Sequence, residues 1–170
     1  MQERQQNRRQ YFNELATTSK KYFIPYIQKF KNITPETQIL EIGCGDGGNL
    51  LPFSRMGCHV VGCDMAECRI DDAKRFFEEE DADGEFIASD VFLLKNLEHQ
   101  FDIIICHDVI EHISDKTEFM SKCKTLLKRG GDFHVISRMA DALWRTPANL
   151  QEPSALASAV HSPSAHVPIQ

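Results

Sequence analysis

Short apolar runs alternate with segments of helical period along most of this chain of 170 residues. Five runs read as strands: 37–43 ("TQILEIG"), 59–65 ("HVVGCDM"), 84–90 ("GEFIASD"), 101–108 ("FDIIICHD") and 131–137 ("GDFHVIS"). The fourth carries the unbroken apolar stretch of a strand covered on both faces. Between the strands, 47–57 reads as a short helix ending at Gly57, and 66–80 as an amphipathic helix with Ala66, Ile70, Ala73 and Phe77 on one face. A third helix spans 114–131, with Ser114 as N-cap, Phe119, Cys123, Leu126 and Leu127 as its apolar face, and Gly130 at its C-cap. Strand–helix alternation of this kind predicts an α/β fold, a doubly wound parallel sheet of about five strands with helices on both faces.

The two ends follow other patterns. Residues 1–34 read as an N-terminal helical segment. Ser19 is placed to cap a helix in which Tyr22, Phe23, Tyr26, Ile27 and Phe30 recur at helical spacing, and Pro25 predicts a bend or break inside it. This aromatic stripe has two readings, packing against the main domain or a lid over a substrate. Residues 138–170 lose all periodicity. No glycine follows Gly131, four of the seven prolines are Pro147, Pro153, Pro163 and Pro168, and the charges after Met139 are Asp141, Arg145 and Glu152. This tail is expected to be disordered, with no strand in it, which would leave the fifth strand as an exposed edge.

Composition narrows the classes. Hydrophobic content of 42% and charged content of 26% are ordinary for a globular domain. A formal net charge of −6 argues against non-specific nucleic-acid or membrane-surface binding, which needs a positive field. No apolar run approaches the roughly 18 residues of a membrane span. The first residues lack the apolar stretch of a signal peptide, so a cytoplasmic location is expected. The six cysteines, Cys44, Cys58, Cys63, Cys68, Cys106 and Cys123, form no C-x-x-C pair. They read as reduced thiols used as small core residues rather than as a metal site.

The candidate chemistry lies in "ILEIGCGDGGNLLPF", residues 39–53. Gly43-x-Gly45-x-x-Gly48 follows a strand and precedes a helix, which places backbone N–H groups and a positive helix end near a ligand. Nicotinamide and flavin enzymes share this pattern with other nucleotide binders. Glu41 and Asp46 beside it suit a ligand with a cationic end better than a pyrophosphate, which they would repel. Asp64 ends the second strand where an acid can accept both ribose hydroxyls. Asp90 ends the third strand, where it can accept from an adenine amino group. "CHDVIEHI" closes the fourth.

"LEIGCGDGG", "GCDM", "SDV", "FDIIICHDVIEHI" and "LLKRGG", taken in order, resemble the successive motifs of class I S-adenosylmethionine-dependent methyltransferases over residues 35–137. Arg129 stands where that family usually has proline. The resemblance implies a Rossmann-like sheet and S-adenosyl-L-methionine as cofactor. It implies that Gly43, Cys44, Gly45, Asp46 and Gly47 surround the methionine part, with Glu41 helping to position it. Asp64 would hold the ribose diol, Met65 would pack on the adenine, and Asp90 and Val91 would bracket its amino edge. His107 and Asp108 would border the methyl end. Asp108, Glu111 and His112 are the candidates for proton transfer, with structural roles at a strand end or helix start as the alternative. The implied acceptor is a small molecule, since "HDVIEH" is familiar from enzymes such as those of quinone biosynthesis. No N/D-P-P-Y/F follows the fourth strand, as it does in amino-methylating nucleic-acid enzymes.

The family's sheet normally has seven strands, and the sixth and seventh are missing from this reading. The tail is therefore expected to be out of frame, ending a truncated methyltransferase. One legal coding of 139–150, read one base later, gives a glycine-bearing string similar to relatives after the fifth strand. Two further readings stay open: a non-catalytic fragment with weak or no cofactor binding, and an NAD-dependent oxidoreductase.

Overall fold

The computed structural model describes residues 7–136 and the backbone of Ser164–Pro168. Helix α1 (Arg8–Thr18) begins at Asn7, whose side chain accepts from the backbone N–H of Gln10. It runs through a wider, π-helical turn at Ser19–Phe23 into the short α2 (Ile24–Ile27). The sequence reading placed a helix start at Ser19. Its backbone is helical instead, and its buried hydroxyl donates to the Asn49 carbonyl at 2.7 Å. The irregularity expected at Pro25 appears as that wide turn just before it, which is how a helix accommodates a residue with no N–H. The stripe also divides: Phe23 and Ile27 are buried, whereas Tyr22 and Phe30 are exposed.

Five strands follow: β1 (Gln38–Ile42), β2 (His59–Asp64), β3 (Glu85–Ala88), β4 (Phe101–His107) and β5 (Leu127–Ile136). They are linked by α3 (Leu51–Ser54), α4 (Glu67–Glu79) and α5 (Lys116–Leu126). The sheet order is β3-β2-β1-β4-β5, and every neighbouring pair is parallel. Side chains alternate between faces along a strand. In β4, Ile103 and Ile105 enter a layer with Phe12, Phe53 and Phe76, while Ile104 and Cys106 enter one with Phe119, Leu126 and Phe133. Both faces are covered, which explains the unbroken apolar run. The apolar face of α4 is wider than its period suggests, with Phe76 buried beside Ile70, Ala73 and Phe77.

Two helix ends differ from expectation. Asp115, not Ser114, caps α5, its carboxylate accepting from the Glu118 N–H at 2.9 Å. Gly130 is not a C-cap, because β5 starts directly at Leu127. Gly130 takes φ +76° where the register slips, Phe101 pairing with Leu127 but Ile103 with Asp132. The glycines release an outward loop of the strand rather than end the helix.

The tail is partly corrected. Ser164–Pro168 forms β6, antiparallel to β5 from Asp132 to Ile136. The edge expected to be exposed is paired there. An open strand edge offers a row of free N–H and C=O groups, so a short extended segment can pair with it without strong periodicity of its own. The rest of the tail, with its expected disorder, lies outside the described residues. No helix among the described residues is long and apolar enough to cross a membrane.

All six cysteines are free, and all but Cys68 are buried. Burial pushes the Cys63 thiol up to about 12, and those of Cys44, Cys106 and Cys123 also upward. Five of the six are small core residues, as expected, and Cys68 is the exception: it stands exposed near the start of α4.

Candidate functional site

In an open parallel sheet, ligands bind beyond the carboxyl ends of the strands, where the strand order reverses. Here that point lies between β1 and β4. A cleft of about 610 Å³ sits there. It is lined by the turn after β1 (Gly43, Cys44, Gly45, Asn49), the end of β2 (Asp64), Arg69 of α4, the turn after β4 (His107 to Val109, Glu111, His112), and Tyr11 and Leu15 of α1.

The turn after β1 has a left-handed backbone at Gly43 (φ +70°), Gly45 (+53°) and Gly47 (+81°). A Cβ on Gly43 would fall inside contact distance of Val109, so the loops after β1 and β4 touch here. The N–H groups of Gly43 and Cys44 both donate to the Cys63 carbonyl, at 2.8 and 3.0 Å. The N–H of Gly45 donates to Asp64 at 2.9 Å, and that of Ala66 to the other Asp64 oxygen at 2.9 Å. Asp64 is thereby fixed at the cleft wall, with further acceptor capacity on each oxygen.

Glu41 is the unusual group. It stands on the central strand, 1% exposed. Asn49 donates to its Oε1 at 2.7 Å, while its Oε2 has no partner among the described residues. Burial pushes this carboxyl up to about 8, with the nearby Asp64 adding to the rise and the Asn49 hydrogen bond opposing it. A buried carboxyl with an empty oxygen costs free energy unless a donor or cation arrives.

The other predicted residues fall into three sets. His107, Asp108, Glu111 and His112 come together on the β4 side. His107 Nδ1 lies 3.2 Å from the Asn49 amide and its Nε2 3.6 Å from Asp108, with Phe23 edge-on to the ring at 5.1 Å. His112 is exposed, and Glu111 Oε2 is buried without a hydrogen-bond partner among the described residues. Met65, Asp90 and Val91 lie outside the cleft lining. Met65 is 76% exposed. The Asp90 side chain accepts from the Phe92 N–H at 3.0 Å, capping a short turn, and Val91 is a core residue.

Two members of the glycine loop do not present side chains to the cleft. Cys44 packs in the core beneath Gly62. Asp46 is buried and held bidentately by Arg69, at 2.9 and 3.0 Å. Burial shifts Asp46 upward, against the pull of Arg69. The charge argument that used Glu41 and Asp46 together therefore rests on Glu41, because the loop charge is already matched.

Sequence reasoning missed Asn49, Tyr11 and Arg69. Asn49 bridges Glu41 and His107 and follows the glycines directly, so its position was visible but its partners were not. Tyr11 reaches the cleft because α1 packs on the loop, where a Cβ on Gly48 would meet the Phe12 carbonyl at 2.5 Å. Arg69 lies in the helix read over 66–80, off the apolar face of Ala66, Ile70, Ala73 and Phe77, and nothing in the sequence marks its partner.

The lining suits S-adenosylmethionine, whose ammonium and sulfonium are cationic and whose ribose offers a diol. Asp64, Asp108 and Glu111 line the cleft; Glu41 stands outside that lining, on β1 two residues before Gly43, with one buried oxygen unpartnered among the described residues. A pyrophosphate would be repelled by the same set. No cluster of metal-ligating side chains occurs among the described residues.

Comparisons with known proteins agree. Residues 39–131 match the model of a methyltransferase domain. The chain is 33% identical over 102 residues to the ubiquinone biosynthesis O-methyltransferase of Coxiella burnetii, a match covering 59% of this chain and 44% of that protein. The chain spans about half the length of the curated relatives it matches, or less. Among solved structures, the PH0226 protein of Pyrococcus horikoshii superposes with a TM-score of 0.64 at 25% identity, covering 82% of this chain and 64% of that one. A SAM-dependent methyltransferase from Aquifex aeolicus gives 0.62 at 17% identity, covering 72% of each chain, a likeness of fold. The cleft stands where that fold places its ligand, and the matched domain contains every strand that builds it: the chain belongs to the class I S-adenosylmethionine-dependent methyltransferases.

Proposed function

We propose that this chain binds S-adenosylmethionine at the β1–β4 cleft and transfers its methyl group to the hydroxyl of a small-molecule acceptor. The observation that carries this reading is Glu41, buried on the central strand with one oxygen unpartnered at the reversal point of the sheet. Bound there, the cofactor would supply a methyl already activated on a sulfonium, so the protein's work is proximity, orientation and exclusion of water.

Each residue then has a defined task. Glu41 ionises to accept the ammonium, while Asn49 fixes its other oxygen. Asp64, already oriented by two backbone N–H groups, accepts the ribose diol. Met65 offers an exposed apolar side chain to the adenine, with Asp90 and the backbone of Val91 at its amino edge. His107, held by Asn49 and Phe23, forms a rigid wall at the methyl end. Asp108, Glu111 and His112 line the side from which an acceptor would enter. Of these, the exposed His112 is assigned the hydroxyl proton of the acceptor.

A phenolic acceptor of the quinone-precursor type is supported by the names of the relatives and by the "HDVIEH" turn. The test is methyl transfer from labelled cofactor to a set of catechols and phenols, after tight binding of S-adenosylhomocysteine has been measured by titration. Label in an O-methyl product supports the proposal. Binding without label in any acceptor would make the chain a cofactor-binding fragment, and no binding would overturn the assignment of the cleft.

A further inference from the structure

An amino-acid ligand brings two charges into the cleft, and Glu41 answers only one of them. The carboxylate of the cofactor's methionine end would otherwise face a lining that already holds Asp64, Asp108 and Glu111. Among the described residues that line the cleft, one Lys or Arg is present, and it is Arg69.

Arg69 lies in the first turn of α4, its backbone N–H bound to the Ala66 carbonyl at 2.9 Å. Its Nε and Nη2 are locked on the two oxygens of buried Asp46, so the guanidinium plane is fixed against the glycine loop. A Cβ on Gly45 would sit 2.7 Å from Nη2, which shows how closely the group covers that turn. The guanidinium lies 6.0 Å from the ring centroid of Tyr11, another cleft residue. The third nitrogen, Nη1, has no hydrogen-bond partner among the described residues, and the side chain keeps 26% exposure. A planar, pre-oriented guanidinium with unused N–H groups is built for a carboxylate.

We infer that Arg69 is the carboxylate receptor of the site, with Asp46 as the residue that positions it and Tyr11 as the wall that limits its swing. This rests on the proposed function. The two buried acids of the loop region then divide the work: Glu41 receives the ammonium directly, and Asp46 acts through Arg69 on the other end of the same amino acid. The inference also explains why a loop suited to close backbone approach carries a buried carboxylate at all.

The test compares two ligands that differ by one group, S-adenosylhomocysteine and its decarboxylated amine, by calorimetric titration. The native chain should prefer the carboxylated ligand by about tenfold or more, the effect of a hydrogen bond between charged groups. Arg69→Met should lose most of this preference while keeping its affinity for the decarboxylated amine within about threefold. Arg69→Lys, which retains a cation against Asp46, should keep part of the preference and guards against a misfolded Met variant. Equal affinities for the two ligands in the native chain, or an unchanged preference in both variants, would overturn the inference. If neither ligand binds the native chain, it is the cofactor reading itself that fails.

Discussion

Glu41→Gln should stabilise the protein and weaken its cofactor binding, two opposite effects of one change. The folded carboxyl keeps its proton to about pH 8, because burial opposes its charge. In the unfolded chain it would titrate near its ordinary value of 4.5. Between these limits the unfolded state binds fewer protons, so stability is full below the lower value and is lost as pH rises. At 1.36 kcal/mol per unit, the loss is about 3 kcal/mol at pH 7 and about 5 kcal/mol near pH 9. Glutamine keeps the shape and can still accept from Asn49, but it does not titrate. Urea unfolding of both forms from about pH 5 to pH 9 reads the difference directly. The variant should gain steadily on the native chain as pH rises. A difference flat to within about 1 kcal/mol across that range would refute the buried, neutral carboxyl. The same reasoning predicts that binding S-adenosylhomocysteine near pH 7 expels a proton from Glu41, so titration heats should vary with the ionisation enthalpy of the buffer.

Other changes probe the frame of the site. Gly43→Ala forces a side chain onto a backbone at φ +70° and into Val109, at a cost of about 1–3 kcal/mol. A lowered melting temperature with weaker S-adenosylhomocysteine binding is expected, and native values for both would contradict the loop contact. Phe12→Ala removes a fully buried ring packed 5.0 Å from Phe76, at about 3–5 kcal/mol. Denaturant unfolding should show this loss, and a change under about 1 kcal/mol would mean that α1 is not docked on the loop. A thiol reagent applied to the folded chain should titrate Cys68 fast and the five buried cysteines only on unfolding.

Much of the architecture was legible because periodicity reports burial. The apolar run of 103–106 announced a strand covered on both faces, and the glycines of 43–48 announced a loop that passes close to a ligand, though not which of them take a left-handed backbone. Helix ends were less legible. Ser114 and Asp115 are both good caps, and the choice depends on chain direction into the helix rather than on residue type. Ser19 reads as a cap in isolation, but tertiary packing runs the helix through it and turns its hydroxyl to Asn49. The strand at Ser164–Pro168 was missed because an edge partner is recruited by the free hydrogen-bonding row of β5, which leaves little trace in its own sequence. In the site, the acids at strand ends were readable from their positions after each strand. Their partners were not, since Asp46 and Arg69 are brought together only by the packing of α4 on the glycine loop, and Tyr11 only by the docking of α1.

The most direct measurement of the central claim is calorimetric titration of the native chain with S-adenosylhomocysteine near pH 8, with NAD as the control ligand. The account predicts one site per chain for S-adenosylhomocysteine, weakened by Glu41→Gln, and no heat from NAD. Binding of NAD, or S-adenosylhomocysteine binding that Glu41→Gln leaves unchanged, would contradict it.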